Sequence, residues 1–547
     1  MKLVTGIFLS VTLLLFCLTL RAQTEEWIWA ARAGGTGEDY SHAIATDDQG
    51  NQYITGSFEE TADFGSTTLA SSGNKDIFVA KLDGNGNWLW AKKAGGTAYD
   101  HGQGIVLDSA GNIFVTGYFR DVANFGDISL TSNGYDDIFV ARLDPAGNWI
   151  WASSAGGASS DSAQDISIDT SGNLYITGLF LQSTTIGSTT LTSSGGSDIF
   201  VARVDSGGNW LWAVRAGGSS GDSGRSITFD GVNLYITGDF RETAAFGGSS
   251  LTSSGMNDIY LAKLDPDGNW IWALRAGGTA NDEGYCVKAD NPGMINLTGC
   301  FRSTADFGPH NLTSNGGFDI FAAGLNGNGE WYGANRAGGP DSDHSHGIAS
   351  DSAGNAVIIG DFAETADFGP FSMTSFGGYD AFVMKIDEGN VILARQAGGT
   401  SEDWGTSVAT DPSGNIYATG YFSETAEFGD NSITSAGSDD IFVAKLSTEV
   451  DADDPMAPGL TGNSRLHDAY PNPFRAGGSL SIKADIAENE SGMIQFFNLR
   501  GQKMAQFELP AGRQQVSLET GGLRAGVYLY RLKTGSTDIV RKLVLID

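Results

Sequence analysis

Along this chain, short apolar runs alternate with short polar turns. Residues 104–152 show the pattern. Gly104-Ile105-Val106-Leu107 and Ile113-Phe114-Val115-Thr116 are joined by Asp108-Ser109-Ala110-Gly111-Asn112. Asp137-Ile138-Phe139-Val140-Ala141-Arg142-Leu143 is joined to Trp149-Ile150-Trp151-Ala152 by Asp144-Pro145-Ala146-Gly147-Asn148. Runs this short, rich in β-branched and aromatic residues and bounded by Gly and Asn, predict β-strands. The Gly in each turn supplies the positive φ that a tight hairpin needs. Between the second and third runs lies a further segment, such as Ala62-Asp63-Phe64-Gly65 through Leu69, which predicts a small hairpin or ordered loop.

The four-run unit recurs. Trp27-Ile28-Trp29-Ala30-Ala31-Arg32-Ala33-Gly34-Gly35 returns with Trp88, Trp149, Trp210, Trp270, Trp331 and Val391 in its first place, at spacings of 60 or 61 residues. The sixth copy is altered (Trp331-Tyr332-Gly333-Ala334), and the seventh has lost both tryptophans (Val391-Ile392-Leu393-Ala394). Seven copies of four antiparallel strands predict an all-β fold, a seven-bladed β-propeller with four-stranded blades of about 60 residues. A β-solenoid is the alternative, but its coils are shorter and lack three hairpin turns each. Trp27 and Trp29 are two apart on a strand, so they share one face and can bury against a neighbouring blade. Gly56, Gly117, Gly178, Gly238, Gly299, Gly360 and Gly420 all fall within the second strand. Glycine inside a strand marks close approach by another backbone. The chain begins with a Trp strand, and its last repeat ends in a third strand, Asp440 to Leu446. These two orphans are expected to pair, which closes the ring and removes an exposed sheet edge.

Composition agrees. Gly is 77 of 547 residues, and 40% of residues are hydrophobic. That is too much Gly for a helical bundle and too much apolar surface for disorder. The formal charge of -33 repels phosphate, which excludes a general nucleic-acid binder and suits a secreted protein.

Met1-Lys2, the apolar stretch Leu3 to Leu20, and Arg21-Ala22-Gln23 read as a secretory signal peptide over residues 1–22. A retained anchor is the alternative. Cys17 lacks the small residues that precede a lipoprotein cysteine. No other segment is apolar enough to cross a bilayer as a helix, so the mature chain is expected to have no membrane span. Cys286 and Cys300 fall on adjacent strands of one hairpin, and an oxidising compartment allows them to bond. The alternative is two buried thiols. No Cys/His spacing points to zinc, and neither metal nor cofactor is expected.

The Asp-x-x-Gly-Asn turns, followed by strands such as Asn173-Leu174-Tyr175-Ile176-Thr177-Gly178, make the repeat over residues 27–446 resemble the SBBP bacterial β-propeller repeat, a longer relative of the NHL repeat. The resemblance implies that the first strand is innermost and the Trp strand outermost. It implies no single activity. The propeller is read as residues 23–447. Residues 448–466 form an acidic linker containing Asp451-Ala452-Asp453-Asp454-Pro455. Residues 467–547 differ. They hold Tyr470-Pro471-Asn472-Pro473-Phe474, Ile494-Gln495-Phe496-Phe497-Asn498-Leu499-Arg500-Gly501, Gly526-Val527-Tyr528-Leu529-Tyr530-Arg531 and Lys542-Leu543-Val544-Leu545. These resemble the C-terminal (Por) sorting domain of type IX secretion. The resemblance implies a small β-sandwich read by an outer-membrane secretion machine, often removed after export, with the cargo released or held at the cell surface. A generic β-sandwich binding module is the alternative.

Seven aspartates recur after the Ala-Gly-Gly stretch: Asp39, Asp100, Asp161, Asp222, Asp282, Asp343 and Asp403. They could form an acidic funnel or cation site, but the favoured reading is a side chain that bonds its own loop. The Asp-x-x-Gly-Asn turns resemble calcium loops only faintly, because no distal Glu follows. The repeats differ within this frame. Three residues after each ring aspartate come His42, Gln103, Gln164, Arg225, Tyr285, His346 and Thr406. One residue after it come Tyr40, His101, Ser162, Ser223, Glu283, His344 and Trp404. Trp404 is set apart, because the other eleven tryptophans belong to the repeated strand. An aromatic at a propeller mouth suits stacking on a sugar or packing on a protein; the alternative is a loop residue folded onto its own blade. His42 and His346, two steps apart around the ring, could supply acid–base groups. No nucleophile elbow, metal spacing or singled-out carboxylate pair accompanies them. The reading is therefore a monomeric, exported propeller that binds a glycan or extracellular protein at one mouth. The alternatives are a polysaccharide-active hydrolase or lyase, and a structural surface-layer component.

Overall fold

A computed structural model describes residues 26–290, 293–447, 465–470, 474–475, 479–486, 490–498, 502–510, 512–519, 526–535 and 538–546. The signal peptide read at residues 1–22 and linker residues 448–464 lie outside the described residues. Two compact units divide between Val450 and Asp451. The described regular elements are all β-strands. Among the described residues no helix is long and apolar enough to cross a membrane.

The first unit opens with β1 (Glu26–Gly35), β2 (Tyr40–Thr46), β3 (Gln52–Phe64), β4 (Thr67–Leu82) and β5 (Trp88–Gly96). β2, β3, β4 and β5 pair antiparallel in chain order. The turn between β2 and β3 shows why the sequence reverses there. Asp47 Oδ1 accepts from the backbone N–H of Gln49 at 3.0 Å and of Asn51 at 2.9 Å, while Gly50 takes φ 74°. The Asp-x-x-Gly-Asn turns thus bond themselves. The inserted segment is no separate loop. β3 and β4 run on past a bulge between Glu59 and Thr61 to meet at Phe64 and Thr67. The bulge places Glu60 at φ 50°, and Asp121, Gln182, Glu242, Ser303, Glu364 and Glu424 occupy the same left-handed position in the later repeats.

The chain's two orphan strands meet. β1 pairs antiparallel with the strand Asn431–Ser447, placing Trp27 opposite Leu446, Arg32 opposite Phe442 and Ala33 opposite Ile441. The end of β1 also pairs with the next group, Gly34 with Asp63 and Gly35 with Ala62. First strands of successive groups touch in a closed cycle, Asp403–Thr410 returning to Tyr40–Thr46. Space at this convergence is set by the backbone. A Cβ on Gly56 would lie 1.9 Å from the Tyr40 carbonyl oxygen, and one on Gly420 1.8 Å from that of Trp404. Outward, Trp27 packs edge-on against Phe428 at 5.4 Å and donates its indole N–H to the Gln396 carbonyl, 3.1 Å away. Trp88 repeats this with Phe64 at 5.3 Å and the Arg32 carbonyl at 3.1 Å. Trp27 and Trp88 each tie their group to the one before through that bond; full burial of a side chain this size contributes roughly 1.5–3 kcal/mol, and Trp27 is the buried one of the two.

The sequence left open whether the two cysteines bond or stay thiols. Cys286 and Cys300 are free. Register keeps them apart, because Cys286 stands opposite Thr298 and Cys300 opposite Glu283. Cys286 Sγ instead lies 3.6 Å from Ser226 Oγ of the preceding group, and burial pushes its thiol up to about 11. Reductant should therefore leave the melting temperature unchanged, and a denatured chain starting at Gln23 should titrate two thiols with a disulfide-exchange reagent. A reductant-induced drop would refute this.

In the second unit, strands Arg465–Tyr470, Ser479–Ile486 and Gly512–Glu519 form one sheet. Strands Phe474–Arg475, Gly492–Asn498, Lys503–Leu509, Gly526–Lys533 and Asp538–Ile546 form another. Both sheets supply one core, Ile482, Ile486 and Val516 meeting Ile494, Phe496 and Tyr530. Of the expected sorting motif, Tyr470 ends one strand and Phe474 begins another. Pro471, Asn472 and Pro473 lie outside the described residues.

Candidate binding site

The ring aspartates prepare the site without entering it. Asp39 is fully buried. Its carboxylate accepts from the Gly35 N–H at 2.7 Å and the Glu59 N–H at 3.1 Å. Asp100, Asp222 and Asp282 repeat both bonds, with Gly96 and Arg120, Gly218 and Arg241, and Gly278 and Arg302. These carboxylates hold their own loops, as the favoured reading expects. Burial pushes Asp39, Asp100, Asp161, Asp343 and Asp403 up to about 7, and Asp222 and Asp282 to about 6.

Immediately after each ring aspartate the first strand carries a bulge, between Ser41 and Ala43 in the first group and between Ser345 and Gly347 in the sixth. The extra residue is His42, Gln103, Gln164, Arg225, Tyr285, His346 or Thr406 in turn. A bulge re-aims a side chain, so the variable position occupies the one place where the inner strand departs from its ladder.

These residues, with neighbours from the adjoining strands, form an aromatic arc. His101 stacks on Tyr118 at 4.9 Å and lies 6.3 Å from His42. His42 lies 6.5 Å from Tyr40, which meets Tyr421 edge-on at 4.6 Å. Tyr421 is nearly parallel to Trp404 at 6.1 Å. Trp404 in turn neighbours Tyr379 at 5.3 Å, His346 at 6.0 Å and His344 at 6.5 Å. His346 reaches Tyr285 at 5.3 Å, and the Arg225 guanidinium lies 4.6 Å above the Tyr285 ring. Arg225 also binds Asp239 at 2.7 Å and Glu283 at 2.9 Å.

The structure thus brings together Trp404, His346, Tyr285 and Arg225. His42 stands further along the same arc. Gln164 donates to Ser162 Oγ at 3.1 Å. The Thr406 hydroxyl lies within hydrogen-bond distance of the Ser41 and Thr419 carbonyls, so it is engaged by backbone.

Two histidines share one carboxylate. His344 Nδ1 lies 3.0 Å from Asp361 Oδ2, and His346 Nε2 lies 2.5 Å from Asp361 Oδ1. Asp361 is fully buried. Burial disfavours its charge, yet the two imidazoles outweigh this and hold it below the usual carboxylate range. Burial likewise opposes a charged His344, but the Asp361 bond and charge prevail and raise it. His42 is the opposite case. Burial, with His101 and Lys75 nearby, pushes it down to about 3, and its Nε2 is buried without a hydrogen-bond partner. It is neutral at ordinary pH and poorly suited to carry a proton to a substrate.

Residue order missed part of this arc. Tyr118, Asp361 and Tyr421 each follow the constant glycine of a second strand, and Lys75 and Tyr379 each precede the constant aspartate of a third strand. Their variation between fixed neighbours was readable by the comparison that singled out His42 and Trp404.

Residues 89–118 and 394–421 match the SBBP β-propeller repeat, and residues 468–546 match the secretion system C-terminal sorting domain. The chain carries SBBP β-propeller repeats and a secretion system C-terminal sorting domain. Type IX secretion exports this chain to the cell surface or extracellular space. It is similar to an uncharacterised WD repeat-containing protein, L264, of Acanthamoeba polyphaga mimivirus, 23% identical over 73% of this chain and 36% of that protein. It is also similar to the regulatory protein FlaEY of Caulobacter vibrioides, 26% identical over 30% of this chain and 18% of that protein. The matched regions span well under half of either relative. Among solved structures, a fungal alcohol oxidase of the AA5 family in complex with copper aligns at 11% identity and TM-score 0.40, over 95% of this chain and 100% of that one.

Proposed function

We propose that residues 23–447 form a monomeric seven-bladed β-propeller of four-stranded blades, which binds a glycan or an extracellular protein at the mouth lined by Trp404. The signal peptide is residues 1–22, the linker residues 448–466, and the sorting β-sandwich residues 467–547, with Tyr470 to Phe474 as its motif. The observation that carries the reading is the aromatic arc, built from residues that vary while the frame around them repeats. A frame maintains the ring; variation at one mouth serves a ligand that need not be seven-fold symmetric. Electrostatics narrows the choice. Tyr379 and Tyr421, both beside Trp404, are raised by burial and then by Asp361 and Glu402, with Asp341 and Asp343 acting on the first and Asp439 on the second. That field favours a neutral or basic ligand over an acidic polysaccharide.

The test is a glycan and extracellular-protein array probed with the mature chain. Binding to a neutral or basic ligand should fall at least tenfold in Trp404→Ala, because aromatic anchors at such sites carry about 2 kcal/mol or more. A hit that survives Trp404→Ala unchanged would sink the reading.

The shared Asp361 supports a second reading, a polysaccharide hydrolase or lyase in which His346 moves a proton. Product release abolished in His346→Ala, with array binding retained, would favour it. Ordered self-assembly with neither result would favour a surface-layer component.

A further inference from the structure

One group departs from the others on its outer side. Elsewhere, except in the sixth group, where Val357, Lys385 and Leu393 stand in register, a row of large side chains crosses the second, third and outer strands. In the first group the row is Tyr53, Lys81 and Trp90, paired in register, with the Lys81 ammonium 4.6 Å above the Tyr53 ring. Tyr235, Lys263 and Trp272 repeat it, as do Tyr175, Arg203 and Trp212. Each second tryptophan then covers the turn glycine of the next group. A Cβ on Gly86 would lie 2.8 Å from the Trp29 indole, one on Gly147 3.1 Å from Trp90, and one on Gly208 2.8 Å from Trp151.

In the fifth group the same register holds Asn296, Gly324 and Gly333. A ring, a cation and an indole are missing together. Nothing lies within 4 Å of a Cβ built on Gly333. The neighbour Tyr332 fills only part of the gap: its ring lies over Gly324, with its hydroxyl 3.4 Å from Asn296 Oδ1, and leaves the space beside Gly333 open. The next group has made its own repair, since Leu393 occupies the tryptophan position and is 2% exposed. What remains between the fifth and sixth groups is a cavity of about 480 Å³. Leu297, Ala323, Ile348 and Ile386 line it, and Asp387 and Glu388 stand on its exposed rim.

We propose that this cavity is a second binding site, distinct from the mouth, for a planar aromatic ring that carries a cationic arm. The ring takes the place of the absent indole between apolar walls. The arm leaves the ring on the open side, since Tyr332 covers the place of the absent Lys or Arg, and meets the rim carboxylates. A volume of this size accommodates such a molecule, and cavities with Leu and Ile walls accept aromatic guests.

Calorimetry on the full exported chain should test this with three probes that share a ring and differ in the arm: tryptamine, indole and indole-3-propionate. Tryptamine should bind most tightly and indole-3-propionate least. Gly333→Trp should weaken tryptamine at least tenfold and raise the melting temperature. Gly333→Leu, copying Leu393, serves the same purpose if the larger side chain prevents folding. Equal affinity for the three probes, no saturable binding of tryptamine, or binding undiminished in both variants would overturn the proposal. None of these outcomes bears on the array result with Trp404→Ala, so the two sites stand or fall separately.

Discussion

Replacing Trp27 and Trp29 together by Ala should lower the melting temperature several degrees further than replacing Trp149 and Trp151. The contacts themselves are nearly the same. Trp27 packs on Phe428 at 5.4 Å and bonds the Gln396 carbonyl, while Trp149 packs on Phe125 at 5.2 Å and bonds the Lys93 carbonyl at 3.2 Å. Trp29 bonds the Gly84 carbonyl at 3.2 Å, and Trp151 the Ser206 carbonyl at 3.1 Å. Truncating a fully buried tryptophan costs roughly 3–5 kcal/mol, which applies to Trp27, while Trp29, Trp149 and Trp151 are half-buried and lose less. A further difference is in the connections. The Trp149 strand follows directly from its third strand through Asp144 to Asn148, and that turn keeps the two strands together when packing is lost. β1 has no such turn to the strand Asn431–Ser447 and is held to it by side chains and ladder bonds alone. Losing the tryptophans there lets β1 leave, which exposes the edge of Asn431–Ser447 and opens the ring. Thermal denaturation of the two double variants, side by side, decides this. Equal losses would mean that closure adds nothing to stability.

The second large effect is with pH. The melting temperature should be highest near pH 5 and fall by about 5 °C or more by pH 8.5. The ring aspartates that burial raises to about 7 or 6 favour the protonated form in the fold. Their contribution is complete below the unfolded value near 3.8 and is lost as pH rises through 6 to 7. Each faces a second buried carboxylate midway along a third strand. Asp76, Asp198, Asp258, Asp319 and Asp440 there have Lys93, Arg215, Arg275, Arg336 and Arg32 beside them. Asp137 and Asp380 lack a cation. Asp137 is bonded by Asn133, and Asp380 by the Phe376 N–H and Gln396, so burial pushes them to about 6 and about 7. The raised His344 acts in the same direction. The self-bonded turn aspartates, such as Asp47 and Asp169, act oppositely, as does Asp361. All are lowered, so their contribution is present above the unfolded value and lost only as pH falls below it. Asp380→Asn should flatten the alkaline side of the profile, since the amide oxygen can still accept from Phe376 while the charge is gone. A melting temperature that climbs from pH 5.5 to pH 8.5 would contradict the whole account.

Much of the fold was legible from residue order because its causes are local. An Asp-x-x-Gly-Asn turn bonds its own backbone wherever it stands, as Asp47 does. Alternation of period two puts Trp27 and Trp29 on one face. The pairing of β1 with Asn431–Ser447 was inferable too, because an unpaired edge at each end of a repeat array has one economical solution. The glycine of each second strand signalled contact with another backbone, and that backbone is the carbonyl of the residue after the ring aspartate. The inserted segment was harder. Its strands continue β3 and β4 through a bulge whose left-handed residue is Glu60, and a Glu carries no local mark of that conformation.

The candidate site divides in the same way. Trp404 and His346 stood out because they break a repeat, and their residue types suggested contact chemistry. Nothing in their order showed that His344 and His346 share Asp361, or that Tyr379 and Tyr421 flank Trp404. Nor did spacing decide whether Cys286 and Cys300 were bonded, since adjacent strands hold two cysteines together only in the right register.

Residue order alone determined that this protein is an exported array of β-repeats closed end to end, because strand period, turn chemistry and sorting signal are written within a few residues of one another. Tertiary structure alone decided which side chains meet at the mouth and where Gly324 and Gly333 leave a cavity. Those contacts join residues tens to hundreds of positions apart, and only closure of the ring, with its bulges, sets the distances between them.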